Sequence, residues 1–267
     1  MDLVARIHAD LPVIDGHNDL PWRIRSEAGG DLDRADPRGR LPDFHTDVPR
    51  MLAGGVGGQF WSVYVPADAA APFEATVAQI DLVGRMVARD DRLEPATTAD
   101  DVRRIRSRGR IASLMGAEGG HSIEADLGKL RDLFDRGVRY LTLTHSNTLP
   151  WADSATDDPV HGGLTGFGRD VVREMNRLGM LVDVSHVSAD TMWDALESSG
   201  KPIIASHSNA RALADHPRNV PDDVLAEIGR RGGVVMAVFF PGFVVAETAR
   251  EMRAMFDRWR EVRAELV

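Results

Sequence analysis

The stretch "VIDGHNDLPW", Val13–Trp22, opens with an apolar pair and then places His17 and Asp19 two residues apart. In an extended segment, residues i and i+2 point to the same side. A histidine and a carboxylate therefore converge on one point, which is how two ligands of one metal ion would be arranged. The stretch predicts a metal site at the end of a strand, provided that the rest of the chain supplies further ligands.

Short apolar runs recur along the chain and alternate with segments of helical periodicity. The predicted strands are Leu11–Ile14, Gln59–Val65, Ile111–Met115, Val138–Thr144, Met180–Val184, Pro202–Ala205 and Val234–Phe240. Alternating strands and helices are typical of a parallel sheet, and continuous apolar runs are typical of strands buried on both faces. This number of units favours an α/β fold of the TIM-type (β/α)8 barrel over an open sheet. Only seven strands are predicted, so the eighth strand of such a barrel is lacking.

Helices are predicted between the strands from apolar stripes and from their end signals. Thr98 and Asp101 are spaced as a capping box, Ser188 can cap another helix, and Pro221 suits a first helical turn. Two polar stretches, Gly29–Pro42 and Trp151–Phe167, are predicted to be surface loops.

The composition indicates a globular protein and limits what it can bind. A chain of 267 residues, 43% hydrophobic and 27% charged, is ordinary for a soluble globular protein, and we expect one domain over residues 1–267. The formal net charge of −9 argues against nonspecific nucleic-acid binding. The chain contains no cysteine, so a metal site must use nitrogen and oxygen donors. With no signal-peptide pattern and no apolar run of roughly 20 residues, we expect no membrane partner and a cytoplasmic location.

Potential metal ligands recur at one position, the carboxyl end of a predicted strand. They are His17, Asp19, Glu118, His145, His186 and His207. A single histidine at a strand end is more often structural than a ligand. Six such groups at one rim favour a site, because α/β barrels build their active sites at that rim. The remaining histidines are weaker candidates for metal ligands. His8, His45, His161 and His216 are predicted to be solvated. His121 lies close to Glu118 but begins the region that leads into the next helix.

Imidazole and carboxylate donors suit zinc, and they also suit manganese, cobalt or iron. These candidates exceed the needs of one tetrahedral zinc ion, whereas two ions sharing a bridging carboxylate would use five of the six. A metal pair of this kind generates hydroxide near neutral pH and stabilises a hydrolytic transition state. The pattern therefore indicates a two-metal hydrolase.

The chain resembles the membrane dipeptidase (renal dipeptidase) family of the metal-dependent amidohydrolase superfamily. The resemblance is carried, in order, by "VIDGHNDLPW", "GGQFWSVY", "ASLMGAEGGHSI", "RYLTLTHSNTLPWADS", "FGRDVVREMNRLGMLVDVSHVS", "IIASHSNARAL" and "RNVPDDVL". These motifs run over about Val13 to Phe243, which is nearly the whole chain. The resemblance implies a (β/α)8 barrel with a dinuclear zinc site.

The matching positions imply the metal ligands. One zinc ion would be held by His17, Asp19 and Glu118, and the other by Glu118, His186 and His207. Glu118 and a hydroxide would bridge the two ions. The implied cofactor is therefore a pair of zinc ions.

The resemblance also implies a substrate and a reaction. The reaction is the hydrolysis of a dipeptide, in the family often one with a D-residue at the C-terminal position, by attack of the bridging hydroxide. His145 would contact the substrate carbonyl and stabilise the oxyanion. Arg218 would bind the terminal carboxylate, a task suited to a planar cation. A homodimer is a further expectation of the resemblance.

One departure from the family pattern leaves alternatives open. The family moves a proton with an aspartate in a Gly-Gly-Asp motif on its eighth strand, and this chain has no such motif after its seventh. We expect the chain to be truncated at its C-terminus; otherwise the last helix or a second subunit covers the gap. Two other functions compete with a dipeptidase: a noncatalytic metal-binding remnant, and an amidohydrolase acting on another amide or a lactone.

Overall fold

The computed structural model describes residues 3–265, so the four terminal residues of the expected 1–267 domain lie outside the described part. The described residues fall into two compact units. The first comprises the residues up to Thr142 together with Arg177–Met180. The second comprises Leu143–Asn176 and the residues from Leu181 onward.

Strands and helices alternate along the chain. The strands are β1 (Val13–Asn18), β2 (Val56–Ser62), β3 (Leu93–Pro95), β4 (Ile111–Glu118), β5 (Val138–Thr142), β6 (Leu181–Asp183), β7 (Ile204–Ala205) and β8 (Val234–Val235). The helices are α1 (Leu3–Asp10), α2 (Leu20–Ala28), α3 (Val48–Ala53), α4 (Pro72–Ala88), α5 (Ala99–Arg106), α6 (Leu127–Asp135), α7 (Gly166–Leu178), α8 (Ala189–Ser198), α9 (Asp222–Arg230), α10 (Pro241–Val244) and α11 (Ala246–Glu265).

The first unit is built on parallel strands in the order β1–β2–β4–β5, with the short strand β3 paired to β4. In this register Ser62 of β2 lies beside Gly116, and Glu118 of β4 lies beside Thr142. Because the strands are parallel, their carboxyl ends lie at one edge. The strands carry an apolar core in which Trp61 is fully buried.

The second unit contains the parallel strands β6, β7 and β8, paired in that order. The helices that flank them are α8 and α9, and Ser188 caps α8 by accepting a hydrogen bond from the amide of Thr191. The cap that the sequence predicted for α5 in the first unit is also present, because Thr98 and Asp101 form a complete capping box. Local end signals therefore placed several helices correctly.

Each of the seven predicted strands overlaps a strand of the structure, and the α/β class is confirmed. If the short strand β3 is set aside, seven strands alternate with helices in the described residues. This is the order of a TIM-type barrel that lacks one strand. Strand β3 was missed because it is three residues long and ends in proline, which is too short for a periodic signal.

The last predicted strand, Val234–Phe240, is shorter than expected. Only Val234–Val235 is regular strand, and Phe239 is 91% exposed. The Asn209 side chain donates to the Val238 carbonyl at 2.8 Å and accepts from the Val238 amide at 3.2 Å. A side-chain amide thus takes the place of a neighbouring strand at Val238.

The stretch Trp151–Phe167 is a loop, as predicted, but its beginning is buried rather than on the surface. Asp153 is fully buried and accepts hydrogen bonds from the amides of Val160, His161 and Gly163. Burial opposes ionisation of Asp153, but these amides outweigh it and lower the pKa of its carboxyl group. The buried Asp153 carboxylate therefore holds the loop in place.

Over residues 3–265, no helix has the length and apolar character needed to cross a bilayer.

Candidate metal and substrate site

The first cluster of potential ligands lies in the first unit, at the carboxyl ends of β1 and β4. The Nε2 atom of His17 is 3.3 Å from an oxygen of Asp19 and 3.4 Å from an oxygen of Glu118. Two donor atoms on one tetrahedral zinc ion stand about 3.3 Å apart, because each bond is about 2.0–2.1 Å long. His17 is therefore spaced from each carboxylate as one ligand of a metal ion is from another.

The His17 ring is oriented by a hydrogen bond between its Nδ1 atom and Tyr140 of β5. The Tyr140 hydroxyl donates to the Gly16 carbonyl at 3.1 Å, since a carbonyl can only accept. The same hydroxyl lies 3.0 Å from Nδ1 of His17, so it accepts a hydrogen bond from that nitrogen. Nδ1 therefore keeps its proton, and Nε2 is the nitrogen that faces the two carboxylates and would bind a metal ion. Outer partners of this kind set the tautomer of metal-binding histidines.

The electrostatics of this cluster favour a cation. Burial disfavours the imidazolium of His17, but Glu118, Tyr140 and Asp19 outweigh it and raise its pKa well above the usual value. Nearby, burial together with Glu118 and Asp19 raises the pKa of Tyr64 to about 12. Both shifts report a negative potential around Glu118, which is what a divalent cation would neutralise.

The second cluster lies in the second unit and consists of three histidines. The Nε2 atoms of His186 and His207 are 2.9 Å apart. The rings of His145 and His186 are stacked with their centroids 4.3 Å apart. Each histidine follows a strand or an extended segment, as the sequence predicted. Three imidazoles brought together in this way are a donor set that suits zinc and other first-row metals.

His207 is oriented by a chain of buried groups. Asp183 accepts from the Ser206 hydroxyl at 2.7 Å, and the Ser206 oxygen lies 2.8 Å from Nδ1 of His207. Because a carboxylate can only accept, the hydroxyl donates to Asp183 and accepts from Nδ1. His207 therefore has the same tautomer as His17, with its proton on Nδ1 and its lone pair on Nε2.

His186 occupies an unusual backbone conformation. Its φ of 70° lies in the left-handed region, which is rare for a residue with a side chain. The conformation is held by its carbonyl, which accepts from the Ala155 amide at 2.7 Å and from the Thr144 hydroxyl at 3.2 Å. Strained residues of this kind cluster at functional sites.

Arg218 is 3% exposed and lies in the same unit. Its guanidinium donates to the Ser208 hydroxyl at 3.4 Å and to the His207 carbonyl at 3.3 Å. Both acceptors are neutral groups, and they orient the guanidinium. Arg218 and His186 line one cavity of about 410 Å³. A ligand in this cavity would face both a fixed cation and an imidazole.

His216 was predicted to be solvated, and this prediction was wrong, because the residue is 1% exposed. Its Nδ1 atom accepts a hydrogen bond from the Arg218 amide at 3.2 Å. Burial, together with the charges of Arg218, Arg211 and Arg253, lowers the pKa of His216 to about 4. The ring is therefore neutral at neutral pH and acts as a support for the Arg218 backbone.

The structure thus groups the predicted residues within each unit. It brings together His17, Asp19 and Glu118 in the first unit, and the three histidines with Arg218 in the second. Sequence reasoning missed the residues that orient these groups, namely Tyr140, Asp183, Ser206 and His216. Asp183 and Ser206 do leave a signal in the sequence. Each is a polar residue at the end of a buried strand and close to a candidate ligand histidine.

Parallel strands that end in imidazole and carboxylate groups are the arrangement used by metal-dependent hydrolases of the α/β barrel class. A model of the membrane dipeptidase family, peptidase family M19, matches residues 1–264. The chain belongs to this family of metallopeptidases, and the resemblance found in its sequence is confirmed.

Named relatives agree with this membership. The chain is 44% identical to Dipeptidase verJ of Clonostachys rogersoniana over 248 residues, covering 88% of this chain and 64% of that protein. It is 40% identical to Dipeptidase 3 of Rattus norvegicus over 264 residues, covering 95% of this chain and 53% of that protein. The chain therefore spans between about half and two thirds of the length of these curated relatives.

A solved structure shares the fold. The crystal structure of a metallopeptidase from Rhodobacter sphaeroides superimposes with a TM-score of 0.75 at 29% identity, covering 89% of this chain and 76% of that one. That protein is bound to a phosphinate mimic of the dipeptide L-Ala-D-Ala.

Proposed function

We propose that this chain carries the metal and substrate sites of a zinc-dependent dipeptidase. Its substrates would be dipeptides, including those with a D-residue at the C-terminal position. The observation that carries the proposal is the cavity shared by Arg218 and His186. A carboxylate held by the arginine would keep the rest of a small substrate beside a metal-binding imidazole.

The proposed metal set is two zinc ions. His17, Asp19 and Glu118 would hold one ion, and Glu118, His186 and His207 the other, with Glu118 shared. Support comes from the donor chemistry of each cluster and from the tautomers of His17 and His207, whose Nε2 lone pairs are set for coordination. A bound metal pair supplies an activated water and stabilises developing negative charge.

The residues of the chain would bind and orient the substrate. The Arg218 guanidinium would take the terminal carboxylate as a charge-assisted, two-pronged contact. His145, stacked on His186, would donate to the oxygen of the scissile carbonyl. The L-Ala-D-Ala mimic bound by the Rhodobacter relative supports a D-residue at the C-terminal position.

The test is hydrolysis of a panel of L,L and L,D dipeptides by the purified chain loaded with zinc. We expect turnover that disappears on chelation and returns when zinc is restored. N-acyl amino acids and lactones serve as the comparison, and preference for either would assign the site to another hydrolase reaction. A folded chain that binds zinc but turns over no substrate would support a noncatalytic metal-binding role instead.

A further inference from the structure

The cavity that holds Arg218 has an apolar wall that the metal chemistry does not need. Phe243 of α10 and two methionines of α11, Met252 and Met255, line it together with the polar groups. All three side chains belong to the C-terminal part of the second unit. A hydrolytic site requires only the polar groups, so the apolar wall calls for a ligand with an apolar portion.

Phe243 is fixed directly beside the arginine. The Arg218 guanidinium carbon lies 5.3 Å from the centre of the Phe243 ring, and the His216 ring centre lies 4.7 Å from it. The Phe243 carbonyl accepts hydrogen bonds from the side-chain amides of Asn209 at 3.2 Å and Asn219 at 2.9 Å. These contacts anchor the backbone at Phe243 and place its ring beside the arginine.

The two methionines extend this surface. Met252 packs so closely on Gly242 that a Cβ atom there would come within 2.0 Å of its sulphur. Met255 is 59% exposed although it lines the cavity, so its apolar surface is available to a ligand. Methionine side chains are flexible and polarizable, and they adapt to ligands of different shape.

We propose that Phe243, Met252 and Met255 form an apolar subsite that selects dipeptides with an apolar side chain on the C-terminal residue. This inference rests on the proposed function, in which Arg218 binds the terminal carboxylate. That carboxylate and the C-terminal side chain share one Cα atom, so the side chain lies within reach of the surface beside Arg218. A flexible methionine wall accepts leucine, methionine and phenylalanine side chains alike.

The test compares kcat/KM for Ala-Gly, Ala-Leu, Ala-Met and Ala-Lys. We expect Ala-Leu and Ala-Met to exceed Ala-Gly by about tenfold or more, the usual effect of filling a hydrophobic pocket. Ala-Lys should be hydrolysed less efficiently than Ala-Met, whose chain has similar length. An equal or higher value for Ala-Lys would point to Asp157, which also lines the cavity, and would overturn the proposal.

Two variants sharpen the comparison. Met252→Ala should reduce kcat/KM more for Ala-Met than for Ala-Gly. Met255→Glu should lower the ratio of Ala-Met to Ala-Lys by about tenfold, because a carboxylate repels an apolar side chain and attracts an ammonium group. Val244→Glu is the matched control, since Val244 is 49% exposed and lies next to Phe243 but outside the cavity lining. Equal ratios in Met255→Glu and Val244→Glu would contradict the subsite.

A binding measurement separates this inference from the proposed activity. Phosphinate isosteres of Ala-Gly and Ala-Leu are titrated calorimetrically into the zinc-loaded chain. Tighter binding of the Ala-Leu isostere supports the subsite even if no dipeptide is hydrolysed, in which case the proposed activity alone fails. Equal affinity for the two isosteres, or binding of neither, overturns the subsite.

Discussion

Two of the candidate ligands, His17 and His207, depend on a hydroxyl group for the tautomer of the imidazole ring. Each donates its Nδ1–H to a hydroxyl oxygen, that of Tyr140 for His17 and that of Ser206 for His207. Each hydroxyl in turn donates a hydrogen bond to an oxygen that can only accept. The same solution is therefore used in both units, with a carbonyl as the final acceptor in one and Asp183 in the other.

Removing the Ser206 hydroxyl should weaken metal binding without unfolding the chain. Asp183 retains the Ser185 and Ser206 amides as donors, so its charge stays solvated by the backbone. We expect Ser206→Ala to lower zinc affinity by about tenfold or more, as outer-shell changes do, and Ser206→Thr to restore it. Competition with a chromophoric chelator measures the affinity. Ser199→Ala, which removes a buried hydroxyl bonded to Asn176, is the control. Failure of threonine to rescue would refute the relay.

The proposed role of Arg218 predicts a selective effect on KM. Replacing it by methionine keeps the length of a buried side chain and removes the charge. We expect Arg218→Met to raise KM for free dipeptides by about 30-fold or more, because loss of a buried charge partner costs about 2–5 kcal/mol. Steady-state kinetics on dipeptides and their C-terminal amides make the comparison. An equal loss on the amides would show that Arg218 does not bind the carboxylate.

At the scale of elements, a glycine in β4 leaves room for a tyrosine of β5 to reach a histidine of β1. Gly116 of β4 lies in register with Tyr140, and a Cβ atom at position 116 would come within 1.9 Å of the tyrosine ring. Tyr140 is fully buried, so its ring has no free space to move into. The glycine is needed because the ring crosses β4 on its way to His17.

We expect Gly116→Ala to lower both stability and zinc affinity. Overpacking of a dense core typically costs about 1–3 kcal/mol, and displacement of Tyr140 releases His17 from its orienting hydroxyl. Thermal unfolding and chelator competition are the two measurements. Gly84→Ala in α4 is a control of opposite sign, since a Cβ there meets nothing within 4 Å and alanine favours a helix interior. Unchanged zinc affinity in folded Gly116→Ala would remove Tyr140 from the site.

At the scale of the whole molecule, buried ionisable groups link stability to pH. His216 is held neutral in the folded chain, where its pKa is about 4 and not the usual 6.5. Between about pH 6.5 and pH 4, His216 binds a proton in the unfolded chain but not in the folded chain. The contribution of His216 to stability is therefore complete above about pH 6.5 and is lost as the pH falls towards about 4.

A His216→Asn variant tests this link. Its side-chain oxygen can accept the Arg218 amide, as Nδ1 does, but the side chain does not titrate. We expect the midpoint of urea unfolding to fall less steeply between pH 6.5 and 4 in the variant than in the unaltered chain. Parallel pH profiles for the two proteins would show that His216 carries no such linkage.

Much of the fold, and the positions of the candidate ligands at strand ends, could be predicted from local patterns. The position of His17 and Asp19 after an apolar run, and the recurrence of histidines at later strand ends, follow from spacing and polarity alone. Helix caps such as Thr98 with Asp101 are equally local. Patterns of this kind are visible because the residues involved lie a few positions apart.

Contacts between distant residues could not be read in this way. His17 and Tyr140 are 123 positions apart, and Asp183 meets Ser206 across 23 positions. The early end of β8, the burial of His216 and the apolar wall beside Arg218 likewise depend on which segments pack together. Short-range polarity and spacing determined the strands and the candidate ligands at their ends, because those signals lie within a few residues of each other. Long-range packing decided the tautomers, the burial of Arg218 and the cavity, because these depend on contacts between distant segments.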